Sequence, residues 1–262
     1  MSAQVDHSFV TVRGHRLEVQ RIPGAERGAP TLVFLHEGLG SVSMWRDFPG
    51  KAARATGRAA VVYSRYGNGQ SDVLREPRAV DYMHVEALQT LPALIEELGV
   101  EEPILVGHSD GGSIALIYAA AHDDVRGAVV MAPHVFVEDL SVESIARAKT
   151  AFETTDFPQR LGRHHADAAK TFRGWNDIWL HPDFRGWNIE DVLPRVHCPV
   201  LAIQGFDDPY GTMAQLEAIA RHTGGPIELL RLADCRHSPH RDQPGVVLEA
   251  ISRFVARLGD GE

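Results

Sequence analysis

The 262-residue sequence predicts an α/β fold: a mostly parallel eight-stranded sheet flanked by helices, with a helical cap. Three observations predict it. Short, β-branched apolar runs lack the alternation of a sheet with one wet face, as strands covered on both sides do. Segments of helical periodicity separate these runs, and strand–helix alternation implies parallel crossovers. One long stretch, residues 133–194, carries helical patterns and no convincing strand.

Taken in order, "SFVTVRG" and "HRLEVQRI" read as an antiparallel opening hairpin turning at Gly14. The buried-strand candidates are "TLVFLH" (31–36), "AAVVYS" (59–64), "PILVGH" (103–108), "RGAVVMA" (126–132), "PVLAIQG" (199–205) and "IELLRLA" (227–233). Residues 81–98 space Val85, Leu88, Leu91, Ile95 and Leu98 three or four apart as one helical stripe, with Gly99 as the stop. Pro92 should kink that helix or shorten its first part. "TMAQLEAIARH" opens with Thr212 and Gln215 in capping-box spacing and should end at Gly224 and Gly225. In residues 133–194, "SVESIARAKTAFETT" and "HADAAKTFRGWNDIWL" read as helices, and the stretch holds three of the four tryptophans. It is too long for a simple loop and is read as a cap over the C-terminal edge of the sheet, where α/β folds bind ligands. The expected division is core 1–132, cap 133–194 and core 195–262.

Bulk properties narrow the function. Twenty-six Lys and Arg against 35 Asp and Glu give a net charge of -9, and no basic block appears, which disfavours nucleic acid. The expected partner is a small-molecule substrate; the sequence is compatible with a monomer or a homo-oligomer. The N-terminus lacks the basic-then-apolar order of a secretory signal, and no window approaches the ~20 apolar residues of a membrane span. No membrane partner is expected, and the expected compartment is the cytoplasm. Cys198 opens one predicted strand and Cys235 closes the next. As parallel neighbours they would lie ~20 Å apart, beyond disulfide reach, so both are expected reduced.

The chemistry-bearing stretch is "ILVGHSDGGSIAL" (104–116), where Gly107-His108-Ser109-Asp110-Gly111 fits G-x-S-x-G between a strand and a helix. In that context the glycines permit a strained turn that exposes the serine hydroxyl. A hydroxyl is a poor nucleophile without a base. The acid and histidine should follow in that order on later strand ends. "FDDPYG" supplies Asp207 and Asp208, and "DCRHSPHRDQP" supplies His237, both on the sheet edge that carries Ser109.

On these residues the chain resembles the α/β-hydrolase fold superfamily, in its branch of small capped serine hydrolases that includes esterases and C–C bond hydrolases. The resemblance covers nearly the whole chain. It implies a G-x-x-D acid, which selects Asp208 in Gly205-Phe206-Asp207-Asp208, and a histidine at His237 in "RHSPHRDQP", with Arg236 replacing the usual glycine. His240 is then a packing or hydrogen-bonding residue. "SRYGNGQSD" (64–72) resembles the family's "RGxGxSD" turn and implies support of the nucleophile loop. The resemblance also implies an oxyanion hole from the backbone N–H groups of Asp110 and of Gly38 in "HEGLGS", with such donors worth about 3–4 kcal/mol each. Glu37 thus stands at the usual glycine position, and Asp110 adds a second carboxylate. Two anions facing the hole would oppose an oxyanion. Either both turn away, onto loop amides, Arg65, Arg241 or a cap residue, or Glu37 faces the pocket, where burial could hold it protonated.

Trp175 and Trp179, four apart, share one helical face, and His134, Phe136, His181 and Trp187 lie near the predicted edges. The expected pocket residues are Glu37, Leu39, Phe136, Trp175 and Trp179, enclosing an apolar or aromatic substrate with one reactive carbonyl. No cofactor and no metal are expected: His164-His165 and His237-x-x-His240 stand without thiolates or an HExxH pattern. Relatives that attack sp3 carbon carry aspartate at the nucleophile position, so Ser109 favours acyl chemistry. The expected function is a serine hydrolase cleaving a carboxylic ester or related activated acyl compound. Alternatives are a C–C bond hydrolase of a β-diketone or vinylogous diketone, a non-catalytic ligand receptor, and a cofactor-independent oxygenase on the same fold.

Overall fold

Apolar runs of four to six residues become the central strands because each residue has a buried face to fill on either side. The computed structural model of the protein describes residues 5–25 and 28–259; residues 1–4, part of the stretch in which no secretory signal is expected, lie outside it. Eight strands form one sheet: β1 (Asp6–Val12), β2 (His15–Ile22), β3 (Leu32–Leu35), β4 (Ala60–Tyr63), β5 (Ile104–His108), β6 (Gly127–Met131), β7 (Val200–Gly205) and β8 (Ile227–Leu232). Their order is β1-β2-β4-β3-β5-β6-β7-β8. Only β2 runs against its neighbours; every pair from β4 through β3 to β8 is parallel. The expected opening hairpin and mostly parallel sheet are both present.

Alternate residues of β3 show why no polar position interrupts it. Leu32 and Phe34 pack toward α1 (Phe48–Thr56) and the C-terminal α10 (Pro244–Leu258), which follows the one-turn α9 (Pro239–Asp242), whereas Val33 and Leu35 pack toward α3 (Leu91–Leu98), α4 (Asp110–Ala119) and α8 (Ala214–His222). A fully buried side chain of this size contributes about 1.5–3 kcal/mol.

The helix expected over 81–98 departs from a single α-helix. A short α2 (Tyr82–Val85) runs into a π-helical turn, Glu86–Thr90, and α3 follows with Pro92 in its first turn. The wider turn relieves the clash and missing donor that Pro92 would impose on an unbroken helix. It also shifts the apolar face. Leu88, expected in the stripe, is 45% exposed, while Met83, Ala87, Leu91, Leu94 and Leu98 are buried. Gly99 ends α3 in the left-handed region, at φ 62°.

The capping box at Thr212 does not form. Gln215 is buried and reaches instead to the segment after β6, accepting from Val135 N–H at 2.7 Å and donating to the Phe136 carbonyl at 3.2 Å. Beyond one bridge to Asn188 that backbone has no ladder, so a buried amide that satisfies its remaining groups outcompetes a local cap. α8 ends at His222, before the two glycines. A side chain at Gly224 or Gly225 would collide with the carbonyls of Pro194 or His197.

Between β6 and β7 the chain forms α5 (Asp139–Thr154), α6 (Phe157–Leu161) and α7 (Ala168–Trp179), with no strand beyond an isolated Phe136–Asn188 bridge. Phe152 stacks on Phe172, and Phe157 meets both edge-on, joining the three helices. Cys198 and Cys235 are both free. No helix of the described residues is long and apolar enough to cross a membrane.

Candidate active site

Ser109 stands alone between the end of β5 and the start of α4, with φ 53°. A non-glycine residue there is strained and persists only when its surroundings over-determine it. Here they do. The Ser109 N–H donates to the Met131 carbonyl at 2.9 Å. A Cβ at Gly107 would lie 2.3 Å from the Gly111 carbonyl, and one at Gly111 would lie 2.0 Å from the Leu35 carbonyl. Strand and helix approach too closely for any side chain at either position.

The two later loops converge on this turn. The Ser109 hydroxyl donates to His237 Nε2 at 3.0 Å, and His237 Nδ1–H donates to both Asp208 carboxylate oxygens at 2.9 Å. Asp208 is buried, whereas its neighbour Asp207 is exposed. Asp208 also accepts from the Tyr210 N–H at 2.8 Å and from Gln204 Nε2 at 2.7 Å. Burial alone would raise its pKa; the charge of His237 and these hydrogen bonds outweigh it and hold the carboxyl below its usual range. His108, between Gly107 and Ser109, donates from Nε2 to the His237 carbonyl at 2.6 Å, fastening the histidine loop to the serine turn.

Asp110 follows Ser109 and Gly38 lines the same cavity, and the backbone N–H groups of both donate to no described group; Asp110 is the first residue of α4, where no intrahelical acceptor exists. The indole of Trp175 lies so close over Gly38 that a Cβ there would sit 2.1 Å from Trp175 Cδ1. The loop is held from outside. Asn68 Nδ2 donates to the carbonyls of Gly38 and Gly40 at 3.1 and 3.0 Å. His165 Nδ1 accepts from the Gly69 N–H at 2.9 Å, which leaves Nε2 to donate to the Leu39 carbonyl at 2.9 Å. Arg65 donates to the Glu37 carbonyl at 3.0 Å.

The two carboxylates part ways. Asp110 turns into the protein and accepts from the Tyr82 hydroxyl at 2.7 Å, with Arg65 Nη2 at 3.5 Å. Glu37 turns toward the cavity, 3.4 Å from His108 Nδ1 and 3.8 Å from Arg241. Burial would raise the Glu37 pKa, but His108, Arg241 and His36 pull it well below its usual value. That direction favours the ionised carboxylate over a glutamic acid held protonated by burial.

The cavity in front of Ser109 measures about 300 Å³. Glu37, Leu39, Trp175 and Trp179 line it as expected from the sequence, but Phe136 does not; its backbone is drawn away by the Asn188 bridge and Gln215. Trp187 stacks on Phe184, outside the lining. The remaining wall comes from residues that sequence patterns did not single out for it, among them Met44, Ile145, Phe157, Leu161 and Tyr210. No local motif marks them, since they converge from four separate segments. His134 also lines it, its ring edge-on to Trp179; burial first and the His237 charge second bring its pKa down to about 4. His164 and His240 are engaged elsewhere. His164 bonds Ser43, and His240 is packed between Trp45 and Phe48. Among the described residues no cluster of metal-ligating side chains exists.

The alpha/beta hydrolase family profile matches residues 32–250. A proline iminopeptidase of Lactobacillus delbrueckii subsp. bulgaricus is 31% identical over an alignment 276 positions long, covering 90% of this chain and 92% of the relative. Among solved structures, the naproxen esterase of Bacillus subtilis superposes with a TM-score of 0.74 at 17% identity, over 96% of this chain and 91% of its own. An enol-lactonase from Burkholderia xenovorans gives 0.73 at 18% identity, over 95% and 100%. The two structures share the fold. With the profile spanning the sheet from β3 into α10, and the iminopeptidase aligned along nearly its full length, the chain belongs to the alpha/beta hydrolase family.

Proposed function

We propose that the protein is a serine hydrolase that cleaves a carboxylic ester or related activated acyl compound through an acyl-enzyme. The observation that carries this reading is the unbroken chain from Ser109 through His237 to Asp208, at 3.0 and 2.9 Å, opening on the cavity. Ser109 Oγ attacks the carbonyl carbon while His237 Nε2 takes its proton. The Gly38 and Asp110 N–H groups stabilise the oxyanion, and His237 returns the proton to the leaving alcohol. Water, deprotonated by the same histidine, then releases the acid. Asp208 fixes the His237 tautomer and stabilises the imidazolium.

In this reading residues 133–194 act as a cap, with Trp175 and Trp179 as an apolar wall, while Glu37 and Arg241 give the opposite side a polar edge. The substrate is apolar or aromatic around its reactive carbonyl, with a polar end toward Glu37 and Arg241. A second acyl class is favoured by one observation: the 31% identical relative is a proline iminopeptidase, which points to prolyl amides as competing substrates.

Ser109→Ala should lower turnover of p-nitrophenyl esters by about four to six orders of magnitude and abolish labelling by a fluorophosphonate. Ester turnover that survives Ser109→Ala sinks the reading. A higher kcat/KM on prolyl p-nitroanilide than on every ester tested moves the assignment to the amide class. Unchanged kinetics and pH profile in Glu37→Gln would remove Glu37 from substrate handling.

A further inference from the structure

The helix α7 has two working faces. Trp175 and Trp179 look into the catalytic cavity, while Lys170, Arg173, Gly174 and Ile178 line a separate depression of about 290 Å³ on the helix's other side. The far wall of that depression is the loop carrying Leu74, Arg75 and Arg78. Gly174 lets this wall close in: a Cβ there would lie 2.7 Å from Leu74 Cδ2.

The charge in the depression is only partly compensated. Arg75, Arg78, Lys170 and Arg173 line it with Glu76 and Asp177, an excess of two positive charges in a protein of net charge -9. Among the described residues none of the four cations has a carboxylate oxygen within 4.0 Å, Glu76 and Asp177 included. Like charges gathered this way repel unless an anion joins them. Arg78 is the most enclosed of the four. Burial first, and the nearby Arg65 charge second, hold its pKa below the usual guanidinium value, a cost that an anion beside it would relieve.

Arg78 is also wired to the catalytic loop. Its Nη2 donates to the Tyr66 carbonyl at 3.1 Å and to Asn68 Oδ1 at 3.0 Å. Asn68 turns its own Nδ2 onto the carbonyls of Gly38 and Gly40. Arginine offers only donors and the two carbonyls only accept, so the amide can be oriented in just one way. The Nε and Nη1 groups of Arg78 make no hydrogen bond with any described residue.

We infer that the depression behind α7 binds a small organic anion, a phosphate or carboxylate group on a compact apolar body, and that its occupation tightens the Gly38 loop through Arg78 and Asn68. The cations hold the anionic group, and Leu74, Pro77 and Ile178 supply the apolar floor. An anion on Nη1 leaves both Nη2 hydrogens on Tyr66 and Asn68, so the ligand neutralises Arg78 and locks the chain of hydrogen bonds in place. The coupling rests on the hydrolase reading above; the binding itself does not.

Binding is measured first on Ser109→Ala, which removes any dependence on turnover. Inorganic phosphate and phenyl phosphate are titrated by calorimetry at constant ionic strength, since surface charges respond to salt alone. The expected result is saturable binding, tighter for phenyl phosphate, and weakened at least about tenfold by Lys170→Gln/Arg173→Gln. Should that double variant fail to fold, Arg75→Gln at a third exposed cation serves in its place. No saturation, equal binding in the variants, or sedimentation with phosphatidylglycerol vesicles without binding of either small anion overturns the site. In the Ser109 enzyme, saturating phenyl phosphate should raise kcat for ester turnover about three- to tenfold, and Arg78→Lys should remove that increase. Binding without any kinetic change overturns the coupling and leaves the site.

Discussion

The serine turn and the 36–40 loop face each other across Ser109, yet they are held in opposite ways. The turn is fixed by backbone packed on backbone, with Gly107 against Gly111 and Gly111 against Leu35. The loop's carbonyls are instead gripped by side chains from distant segments: Asn68, Arg65 and His165. A structure locked by close approach has almost no graded response; it is intact or it is broken. A loop held by several hydrogen bonds, each worth about 0.5–1.5 kcal/mol net, can be loosened step by step.

The sharpest way to break the comparison is at the rigid side. Gly111→Ala places a methyl group 2.0 Å from the Leu35 carbonyl, which neither strand nor helix can yield without opening the sheet. We expect a loss of about 3 kcal/mol or more in urea unfolding, with little folded protein recovered. A Gly111→Ala protein of parental stability would show that the close approach is dispensable.

On the loop side the effects should be smaller and divide differently between stability and catalysis. Asn68→Ala strips a donor from the buried Gly38 and Gly40 carbonyls, at a cost of about 1–3 kcal/mol. Because those carbonyls orient the Gly38 N–H, kcat for ester turnover should fall about ten- to a hundredfold with KM little changed. An increase in KM alone would place Asn68 in substrate binding. Smaller still is the effect of Gly38→Ala, whose new methyl meets the edge of Trp175 at 2.1 Å rather than backbone. The indole can be removed, so Gly38→Ala/Trp175→Leu should regain a large part of the kcat lost in Gly38→Ala. Absence of recovery would mean that the loop's own backbone, and not the helix above it, is what the methyl disturbs.

This division also marks what the sequence discloses. The turn is legible because its constraints are local: a strand, two glycines and a serine within five residues specify one geometry. Asp208 and His237 follow from strand ends, since a parallel sheet delivers successive loops to one edge. The loop's clamps, by contrast, come from Asn68, Arg65 and His165, whose roles depend on which segments meet in space. The same holds for the cavity wall from Met44 to Tyr210 and for Phe136, placed in the pocket by its position near the sheet edge but withdrawn from it by Gln215. The missed phase of Leu88 has a related cause. Periodicity assumes an unbroken α-helix, and the π-turn before Pro92 adds a residue that the pattern cannot register.

The smallest and most gradual effect separates the two regions by pH. His36 accepts from the Arg65 N–H at 3.0 Å through Nε2, and His165 accepts from the Gly69 N–H through Nδ1, so both hold the loop only while neutral. Burial, with the Arg65 charge second, lowers the His36 pKa well below its usual value; burial, with His164 among the opposing charges, brings His165 down to about 4. A histidine whose folded pKa is depressed leaves stability intact above its unfolded value of about 6.5, and stability falls as pH drops from there through the folded pKa. Across that window the unfolded chain takes up protons that the native histidines refuse, about 1.4 kcal/mol per pH unit for each proton at full slope. Asp208 is depressed in the carboxylate sense, so its contribution persists down to its unfolded value near 3.9 and is lost only below that. The stability these two histidines contribute should therefore be lost between pH 6.5 and 4, before the contribution of Asp208 begins to go. Urea midpoints measured from pH 7 to 4 should fall in the parent and fall less steeply in His165→Gln. His134 and His240 are buried and depressed in the same direction, so the difference between the two slopes, rather than the parental slope, reports on the loop. Parallel slopes would show that His165 exchanges its proton in the native state and that the loop does not depend on its neutral form.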